Sequence, residues 1–283
     1  MFMSFYKVSI VTVNYNSSEY TKLMLESLEA NKCFIDSIVI VDNNSEDSEL
    51  DLLKDIVSFI NSNKQLNVKL ISSECNIGYF GGLNLGISNI DHSNIDGVIV
   101  CNNDIAFDND FFNKLFSKKL EDNVYVVCPS VKTIDNIYQN PSMVSAPSFF
   151  RVFFYDLYYS NFYLGQLILK VWRALGLGID SRTIKDYMEK EIFIGIGAIY
   201  YLTNNYFFKN KLLPNDTFLY GEEAFLSKQV RNSGGIQLYC PDLEVIHFES
   251  ISTNKLPSLQ KYELNKKAYQ KYRSFFKQKI HKV

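Results

Sequence analysis

The chain has 283 residues, a length that suggests one large domain or two fused lobes. Apolar residues make up 47% of it, enough for a sizeable core, and the formal net charge of −2 gives no nucleic-acid signature. The five cysteines are widely spaced without a CxxC pair, which argues against a disulfide framework or a zinc site and favours core thiols. The chain shows neither a secretory-signal pattern nor eighteen consecutive uncharged apolar residues, so we expect a cytoplasmic protein without a spanning helix.

Strands and helices alternate through the first half of the chain. Apolar runs rich in β-branched residues predict strands at 8–13, 38–41, 68–71 and 97–101. Helices are predicted at about 19–31 and 48–61, and a glycine-rich loop at 76–86 leads into another helix. Such alternation implies right-handed crossovers and a parallel sheet.

Polar side chains follow several of these strands, at the edge where open α/β sheets bind ligands. The residues concerned are Asn14, Tyr15, Asp42, Asn102, Asn103 and Asp104. Asp42 suits a contact with a ribose or a base. Asp104, beside two asparagines, suits a hard divalent cation carried by a phosphate, because such cations take oxygen ligands. The alternative is that Asp104 only caps the next helix.

The glycine-rich stretch NIGYFGGLNLG at 76–86 permits close approach of the backbone to a ligand, and Asn76 and Asn84 add side-chain donors. The alternative is a tight turn before a helix. The glycine spacing fits neither GxGxxG after the first strand nor GxxxxGK[ST], which disfavours a Rossmann dehydrogenase and a P-loop protein.

Four ordered segments resemble the inverting family 2 glycosyltransferases of the GT-A fold, especially their rhamnosyltransferase-like branch. They are VSIVTVNYN at 8–16, VIVDNNSED at 39–47, the glycine-rich stretch at 76–86 and VIVCNND at 98–104. The resemblance implies an α/β, Rossmann-like, mostly parallel sheet flanked by helices. It also implies a nucleotide diphosphate sugar as donor.

The resemblance assigns roles to individual residues. It implies that the donor is bound by Thr12, Asn14, Tyr15, Asp42, Asn76, Gly78, Asn84, Asn102, Asn103 and Asp104. Asp104 would also meet the metal and the diphosphate. Because Asn102 stands at the first acidic position of the family's Asp-x-Asp motif, we expect the divalent metal, Mn²⁺ or Mg²⁺, to bind weakly or to be carried largely by the nucleotide.

Further strands are predicted at 124–129, 192–202, 236–240 and 243–248. The segment FLYGEEAFLSKQVRNSGG at 218–235 resembles the family's Phe-x-Tyr-x-Glu-Asp block, which implies that Glu223 is the catalytic base and Glu222 its support. Glu223 replaces the family's aspartate and so adds a methylene to the geometry. The alternative is a helix N-terminus enriched in acids for dipole reasons.

His247 lies in VIHFESIST. A lone histidine is usually a satisfied core or surface residue, but the resemblance implies that His247 closes the site. A neutral imidazole would be a reasonable third metal ligand beside Asp104 and the diphosphate oxygens.

Two aromatic segments lie outside these motifs. The segment 149–177 is crowded with Phe, Tyr and Leu and carries flanking basic residues, so it suits a membrane interface, a buried helical pair or a dimer surface. The basic, aromatic segment 261–283 suits either the anionic inner leaflet or packing against the body, and nucleic-acid binding is a weaker third option. We therefore divide the chain into a donor-binding half (1–110), an acceptor-binding half (111–255, with an insertion at about 147–190) and a basic C-terminal helix (256–283).

These features together predict inverting transfer of a sugar, with rhamnose as a candidate, from a nucleotide diphosphate sugar to a hydroxyl of a glycan or lipid-linked acceptor. The setting that this suggests is bacterial capsule or O-antigen synthesis, with the protein peripheral to the inner face of the plasma membrane. A homo-oligomer is compatible with the sequence. One alternative is a nucleotidyltransferase, which would be expected to carry a basic glycine-rich loop where this chain has NYNSSE. The other is a non-catalytic module that binds sugar nucleotides.

Overall fold

A computed structural model describes residues 6–174, 183–248 and 258–277. One mixed sheet runs through them in the order β3-β2-β1-β4-β8-β6-β9-β5, with β7 also paired to β9. The strands are β1 (Val8–Asn14), β2 (Ile35–Asp42), β3 (Val68–Ser72), β4 (Gly97–Asn102), β5 (Ile105–Phe107), β6 (Val124–Thr133), β7 (Lys190–Ile192), β8 (Ile199–Thr203) and β9 (Ile236–His247). The predicted parallel arrangement is confirmed for β1 to β4. Beyond β4 the sheet becomes mixed, because β8 runs antiparallel to both β4 and β6.

Helices flank both faces of this sheet. They are α1 (Ser18–Ser27), α2 (Asp47–Lys64), α3 (Tyr79–Ile87), α4 (Phe111–Ser117), α5 (Phe149–Tyr158), α6 (Phe162–Ala174), α7 (Asn204–Lys209), α8 (Glu222–Asn232) and α9 (Ser258–Lys277), with short 3-10 helices at Glu29–Phe34 and His92–Asn94. Side chains of α1, α2 and α4 pack into the core on one face, and those of α3, α7 and α8 pack into the core on the other. The α/β architecture expected from the sequence is therefore confirmed.

Several predicted boundaries need correction. The glycine-rich stretch is mostly helix, since α3 begins at Tyr79. Its glycines let the helix lie against β1: a Cβ at Gly86 would stand 2.3 Å from the Val11 side chain. The helix predicted at 19–31 ends earlier, at Ser27, and a 3-10 helix follows.

Two corrections concern the second half of the sheet. The stretch 192–202 holds the end of β7 and most of β8, with a connecting loop between them, because β7 pairs with β9 and β8 with β4. The two strands predicted at 236–248 form the single strand β9, which stays paired to β6 on both sides of a register shift.

The aromatic segment forms α5 and α6, and the inner face of this pair packs against α9. A third buried cluster at this junction contains Val152 from α5, Ala224 from α8 and Tyr269 from α9. This packing confirms that the aromatic edge of α9 lies on the body of the protein. Residues 175–182 of the predicted insertion, and residues 256–257 and 278–283 of the predicted C-terminal helix, lie outside the described residues. Within the described ranges, every helix is too short or too polar to cross a bilayer.

Candidate active site

Asn14, Asp42 and Asn103 meet at the carboxyl edge of the parallel strands. Asn14 donates from Nδ2 to Asp42 Oδ1 at 3.0 Å, and Asn103 donates from Nδ2 to Asn14 Oδ1 at 3.2 Å. Asn103 Nδ2 also lies 2.8 Å from the Thr21 hydroxyl of α1. The side chains of Asn14, Thr21, Asp42 and Asn103 are all buried, so hydrogen bonds within the protein replace the bonds that these groups would make with water.

The loop after β2 is fixed by the Asp42 carboxylate, which accepts hydrogen bonds from the Ser45 backbone N–H at 3.0 Å and from its hydroxyl at 2.6 Å. Thr12 lies inside β1, where it is fully buried. Tyr15, one residue beyond β1, is 42% exposed. Of the side chains predicted at the first two strand ends, Tyr15 is therefore the most accessible to a ligand.

Asn43 ties the glycine-rich segment to this edge, a role that the sequence analysis missed. Its amide donates to Asn76 Oδ1 at 3.0 Å and to the Gly78 carbonyl at 3.2 Å, and it accepts from the Ile77 N–H at 3.0 Å. The signal for it was its place in the polar run directly after β2.

Gly78 is where this edge touches the second half of the chain. Its φ of +79° belongs to the left-handed region that disfavours side chains, and a Cβ there would lie 2.2 Å from the Phe218 carbonyl oxygen. Asn84 makes a second connection to the same region, because its amide bonds both the carbonyl (2.9 Å) and the N–H (2.8 Å) of Leu213. The amide of Asn84 is thus engaged with protein backbone.

Asp104 and His247 face each other beyond the end of β4. His247 Nε2 lies 3.2 Å from Asp104 Oδ1 and 3.4 Å from Asn102 Nδ2, and both Asp104 and His247 are buried. β5 pairs with β9 so that Ile105 stands opposite His247, which sets this contact. Asp104 does not cap a helix, since α4 begins at Phe111 with Asp110 as its N-cap.

Gln139, which the sequence analysis also missed, bonds the imidazole of His247. Its Oε1 lies 2.8 Å from Nδ1, so a neutral ring would carry its proton on Nδ1 and would present the Nε2 lone pair. That lone pair faces a carboxylate oxygen of Asp104. Two such atoms 3.2 Å apart repel unless a proton or a cation lies between them, so this pair fits the donor set of a divalent metal.

A second group of potential ligands in the described part of the chain consists of Glu189, Cys240 and Asp242. The ammonium of Lys118 lies 2.6 Å from the Glu189 carboxylate and 2.9 Å from that of Asp242. This group already surrounds a cation of the protein itself, so it does not compete as a candidate metal centre.

Glu222 and Glu223 begin α8, directly after a strained turn. Tyr220 has φ +68° and Gly221 has φ +81°, so two successive residues are left-handed, which is costly for the tyrosine. Glu222 is buried and its Oε1 has no hydrogen-bond partner within the described structure. The Glu223 carboxylate retains some exposure and accepts a hydrogen bond from the Gly197 backbone.

Burial raises the pKa of both carboxyl groups, and the charge of Glu223 raises that of Glu222 further. A carboxylate that only complements a helix dipole is stabilised by the positive end of the helix, and it has this effect without being buried. Here desolvation outweighs that gain. This arrangement is typical of carboxyl groups that exchange protons.

Tyr79 connects the two carboxylate groups of the site. Burial raises its pKa well above the usual range, and the charges of Asp104 and Glu223 both add to that effect. Its hydroxyl donates to the Gly197 carbonyl at 3.1 Å, and the Asn102 N–H donates to the neighbouring Ala198 carbonyl at 2.8 Å. The loop 193–198 is therefore bonded both to Asn102, two residues before Asp104, and to the Glu223 carboxylate.

Comparison with known proteins gives one family. The model of that family, described as Glycosyl transferase family 2, matches residues 9–171, more than half of the chain. A comparison with curated protein sequences gives no match.

Solved structures of low sequence identity share the fold. GalNAc-T7 with UDP, GalNAc and Mn²⁺ has a TM-score of 0.61 at 15% identity, over 97% of this chain and 50% of the other. The mannosyltransferase PcManGT from Pyrobaculum calidifontis, with GDP-Man and Mn²⁺, has a TM-score of 0.54 at 13% identity, over 94% and 70%. S. aureus TarS 1-349 with UDP-GlcNAc has a TM-score of 0.51 at 15% identity, over 89% and 61%. The chain matches only 37% to 61% of the three TarS chains compared.

Proposed function

Because the chain belongs to glycosyltransferase family 2, we propose that it transfers a sugar from a nucleotide diphosphate sugar to a hydroxyl of an acceptor. The observation that supports this proposal is that Asp104 and Glu223 both influence Tyr79. The charges of the two carboxylates add to the raised pKa of Tyr79, and Tyr79 and Glu223 both bond to the backbone of Gly197. One group can meet the diphosphate while the other meets the acceptor.

The donor would bind along the edge formed by the loops after β1, β2 and β4. Tyr15 is the exposed aromatic side chain at this edge and would stack on the base. Asn14, Asp42, Asn76 and Gly78 would shape the nucleotide site, since their hydrogen bonds fix the loops that border it. Thr12 and Asn84 would not contact the donor directly. They would support the site by stabilising β1 and α3, which carry them.

Asp104 and His247 would hold a divalent metal, with Asn102 and Asn103 beside them. The facing lone pairs of the aspartate and the imidazole support this assignment, and PcManGT and GalNAc-T7 were solved with Mn²⁺. When bound, Mn²⁺ or Mg²⁺ would neutralise charge on the departing diphosphate. With two protein ligands only, we expect the metal to bind mainly together with the nucleotide.

Glu223 would act as the general base. The acceptor oxygen would attack the anomeric carbon, the bond from that carbon to the diphosphate oxygen would break, and Glu223 would take the hydroxyl proton. A single displacement of this kind inverts the anomeric centre and needs no nucleophilic carboxylate. Glu222 would support the base as its buried neighbour, since burial and the charge of Glu223 both raise the pKa of Glu222 and favour its protonated form.

The finer assignments rest on the resemblance to the rhamnosyltransferase-like branch. We propose rhamnose as one candidate sugar, a glycan or a lipid-linked oligosaccharide as acceptor, and capsule or O-antigen assembly as the setting. The relatives of known structure bind different donors, among them UDP-GlcNAc and GDP-Man. The donor panel should therefore vary both the base and the sugar.

The test is incubation with Mn²⁺ and a panel containing UDP-GlcNAc, UDP-Gal, GDP-Man and dTDP-rhamnose, with thermal shift used to find the donor that binds. We expect one donor to raise the melting temperature in the presence of Mn²⁺ and to release nucleoside diphosphate slowly. Release of pyrophosphate from a nucleoside triphosphate would instead identify a nucleotidyltransferase. Binding without release, even with acceptor glycans present, would identify a binding module and refute the proposal.

A further inference from the structure

Two apolar stripes on α5 and α6 face solvent. Large hydrophobic side chains seldom remain exposed in such number on consecutive elements. The exposed fractions are 77% for Phe149, 72% for Phe150, 53% for Phe153, 43% for Phe154, 80% for Tyr163, 57% for Leu167 and 50% for Val171. We refer to these seven side chains as the aromatic face.

The opposite side of α5 packs on α9, and Phe162 at the start of α6 contacts Tyr262 of α9. Tyr159 stacks on Tyr269 with ring centroids 4.8 Å apart, and the Tyr269 hydroxyl donates to Asp156 at 2.6 Å. Asp156 also forms an ion pair with Arg273. The aromatic face is therefore held outward by ordered contacts on its reverse side.

Basic residues are concentrated in the layer that α5, α6 and α9 form. In the sequence, 149–174 and 258–277 together hold nine Lys and Arg but only two acids, Asp156 and Glu263. The rest of the chain holds the remaining 20 basic and 29 acidic residues of its totals of 29 and 31. One of the two acids in the layer, Asp156, is paired with Arg273. The layer is thus cationic on a protein that is acidic elsewhere.

We propose that the aromatic face docks on an anionic lipid surface. Aromatic side chains enter the interfacial region of a bilayer, and the net positive charge of α5, α6 and α9 is attracted to anionic headgroups. A second copy of the chain fits less well as the occupant. Two copies of this layer would bring like charges together, whereas anionic lipid would neutralise them.

A cavity lies beside α5. It has a volume of about 570 Å³, and its lining includes Arg151 of α5 and Asn140. Asn140 Oδ1 accepts the Ile196 N–H at 2.8 Å, and the preceding residue, Gln139, bonds His247. Docking itself does not depend on the transfer reaction. Its use, presenting a lipid-linked acceptor to Glu223, rests on the proposed function.

The experiment is co-sedimentation of the full chain with vesicles of phosphatidylglycerol and phosphatidylcholine in equal parts, and with vesicles of phosphatidylcholine alone. We expect binding to the anionic vesicles that weakens with salt. The triple variant Phe149→Ser, Phe150→Ser, Phe153→Ser should lower the partition coefficient at least about a hundredfold, since each buried aromatic side chain contributes about tenfold. The matched control is Phe59→Ser with Phe208→Ser, two exposed phenylalanines of α2 and α7, which should bind like the wild type.

Several results would overturn the docking proposal: no binding to the anionic vesicles, equal binding to phosphatidylcholine alone, or an equal loss in the control variant. A dimer in solution that the triple variant abolishes, without vesicle binding, would identify a second copy as the occupant and also overturn it. Donor turnover with water or a soluble acceptor separates the two proposals. A triple variant that turns over donor normally but does not sediment has lost docking alone, whereas sedimentation without any turnover refutes only the transferase.

Discussion

Buried polar side chains are hydrogen-bonded to one another on the asparagine-rich side of the candidate site, whereas a buried carboxylate oxygen lacks a hydrogen-bond partner on its acidic side. On the first side, Asn14, Asp42 and Asn103 form the amide wall, whose side chains bond to one another and to neighbouring hydroxyls. On the second side, Glu222 and Glu223 form the acid wall, where a buried carboxylate oxygen has no hydrogen-bond partner and burial raises the pKa of both groups.

This difference suggests a division of labour. A saturated hydrogen-bond network holds loops in one arrangement and contributes stability. A desolvated carboxylate is destabilising for the fold but has the higher proton affinity that a base needs near neutral pH. We therefore expect substitutions in the amide wall to act on stability and substitutions in the acid wall to act on turnover.

The largest effect should come from Glu223→Gln. It keeps the size of the side chain but removes the proton acceptor, so transfer should fall by about 10²- to 10⁴-fold while donor affinity is unchanged. Turnover and nucleotide binding are measured separately on the same preparation. Glu121→Gln, at an exposed position, is the control. Normal turnover by Glu223→Gln would show that another residue is the base. It would also refute the assignment of turnover to the acid wall.

Gly78→Ala tests the point where the donor side touches the loop before α8. The added Cβ would lie 2.2 Å from the Phe218 carbonyl oxygen, in a backbone conformation with φ +79°. We expect a loss of at least about 2 kcal/mol in the free energy of unfolding, measured by urea titration, together with reduced transfer.

Gly234→Ala is the matched control for this substitution. Gly234 also has a positive φ, +84°, but nothing lies within 4 Å of its added Cβ, so it tests a positive φ without the close contact. The difference between the two variants isolates the contact between the two sides. Equal losses would mean that backbone conformation alone explains the effect and that the contact contributes nothing.

Asn103→Ala tests the amide wall directly. Its Nδ2 lies within hydrogen-bond distance of Asn14, Ser17 and Thr21, so its two hydrogens serve this group of acceptors, which the substitution would leave without them. We expect the free energy of unfolding to fall by about 1–3 kcal/mol, with the turnover number of the folded enzyme changed far less. Asn109→Ala, at an exposed asparagine in the next loop, after β5, should cost almost nothing. If the two variants were equally stable, the network would not support the wall.

The sequence predicted the parallel half of the sheet well because its strands are continuous apolar runs that end in polar residues. This pattern located β1 to β4 to within a few residues. It failed where local signals conflict. The glycines of α3 argue locally for a loop, and only the nearby side chains of β1 explain why a helix packs there. The three residues of β5 are too few to show any periodicity.

The site was harder to predict than the sheet because its partners are tertiary. Spacing identifies Asp104 and His247 as candidates, but nothing local indicates that Gln139 orients the imidazole from 108 positions away. Asn43 likewise belongs to a visible polar run, and its bonds to 76–78 depend on how β2 and α3 pack. Residue types that suit the chemistry can be read from the sequence, whereas their orientation depends on contacts made only in the fold.

The smallest expected effect, the pH dependence of stability, tests whether the acid wall is destabilising. Burial raises the folded-state pKa of Glu222 and Glu223 above the unfolded value of about 4.3, so the native state retains protons that the unfolded chain has lost. The free energy of unfolding of the wild type should therefore fall as pH rises from about 4.3 through the raised pKa values of the pair. Glu222→Gln removes one of these titrations, so its free energy of unfolding should depend less on pH. From the lower to the upper end of that pH range, its free energy of unfolding should rise by about 1 kcal/mol or more relative to that of the wild type.

Urea unfolding at a series of pH values measures this slope. Glu19→Gln is the matched control, because Glu19 also lies in the first turn of a helix but is exposed. If Glu222 served only the helix dipole, its removal would lower stability most where the carboxylate is charged, and the difference from the wild type would have the opposite sign. The sign of that difference therefore separates a buried proton acceptor from a helix cap, without any knowledge of the substrate.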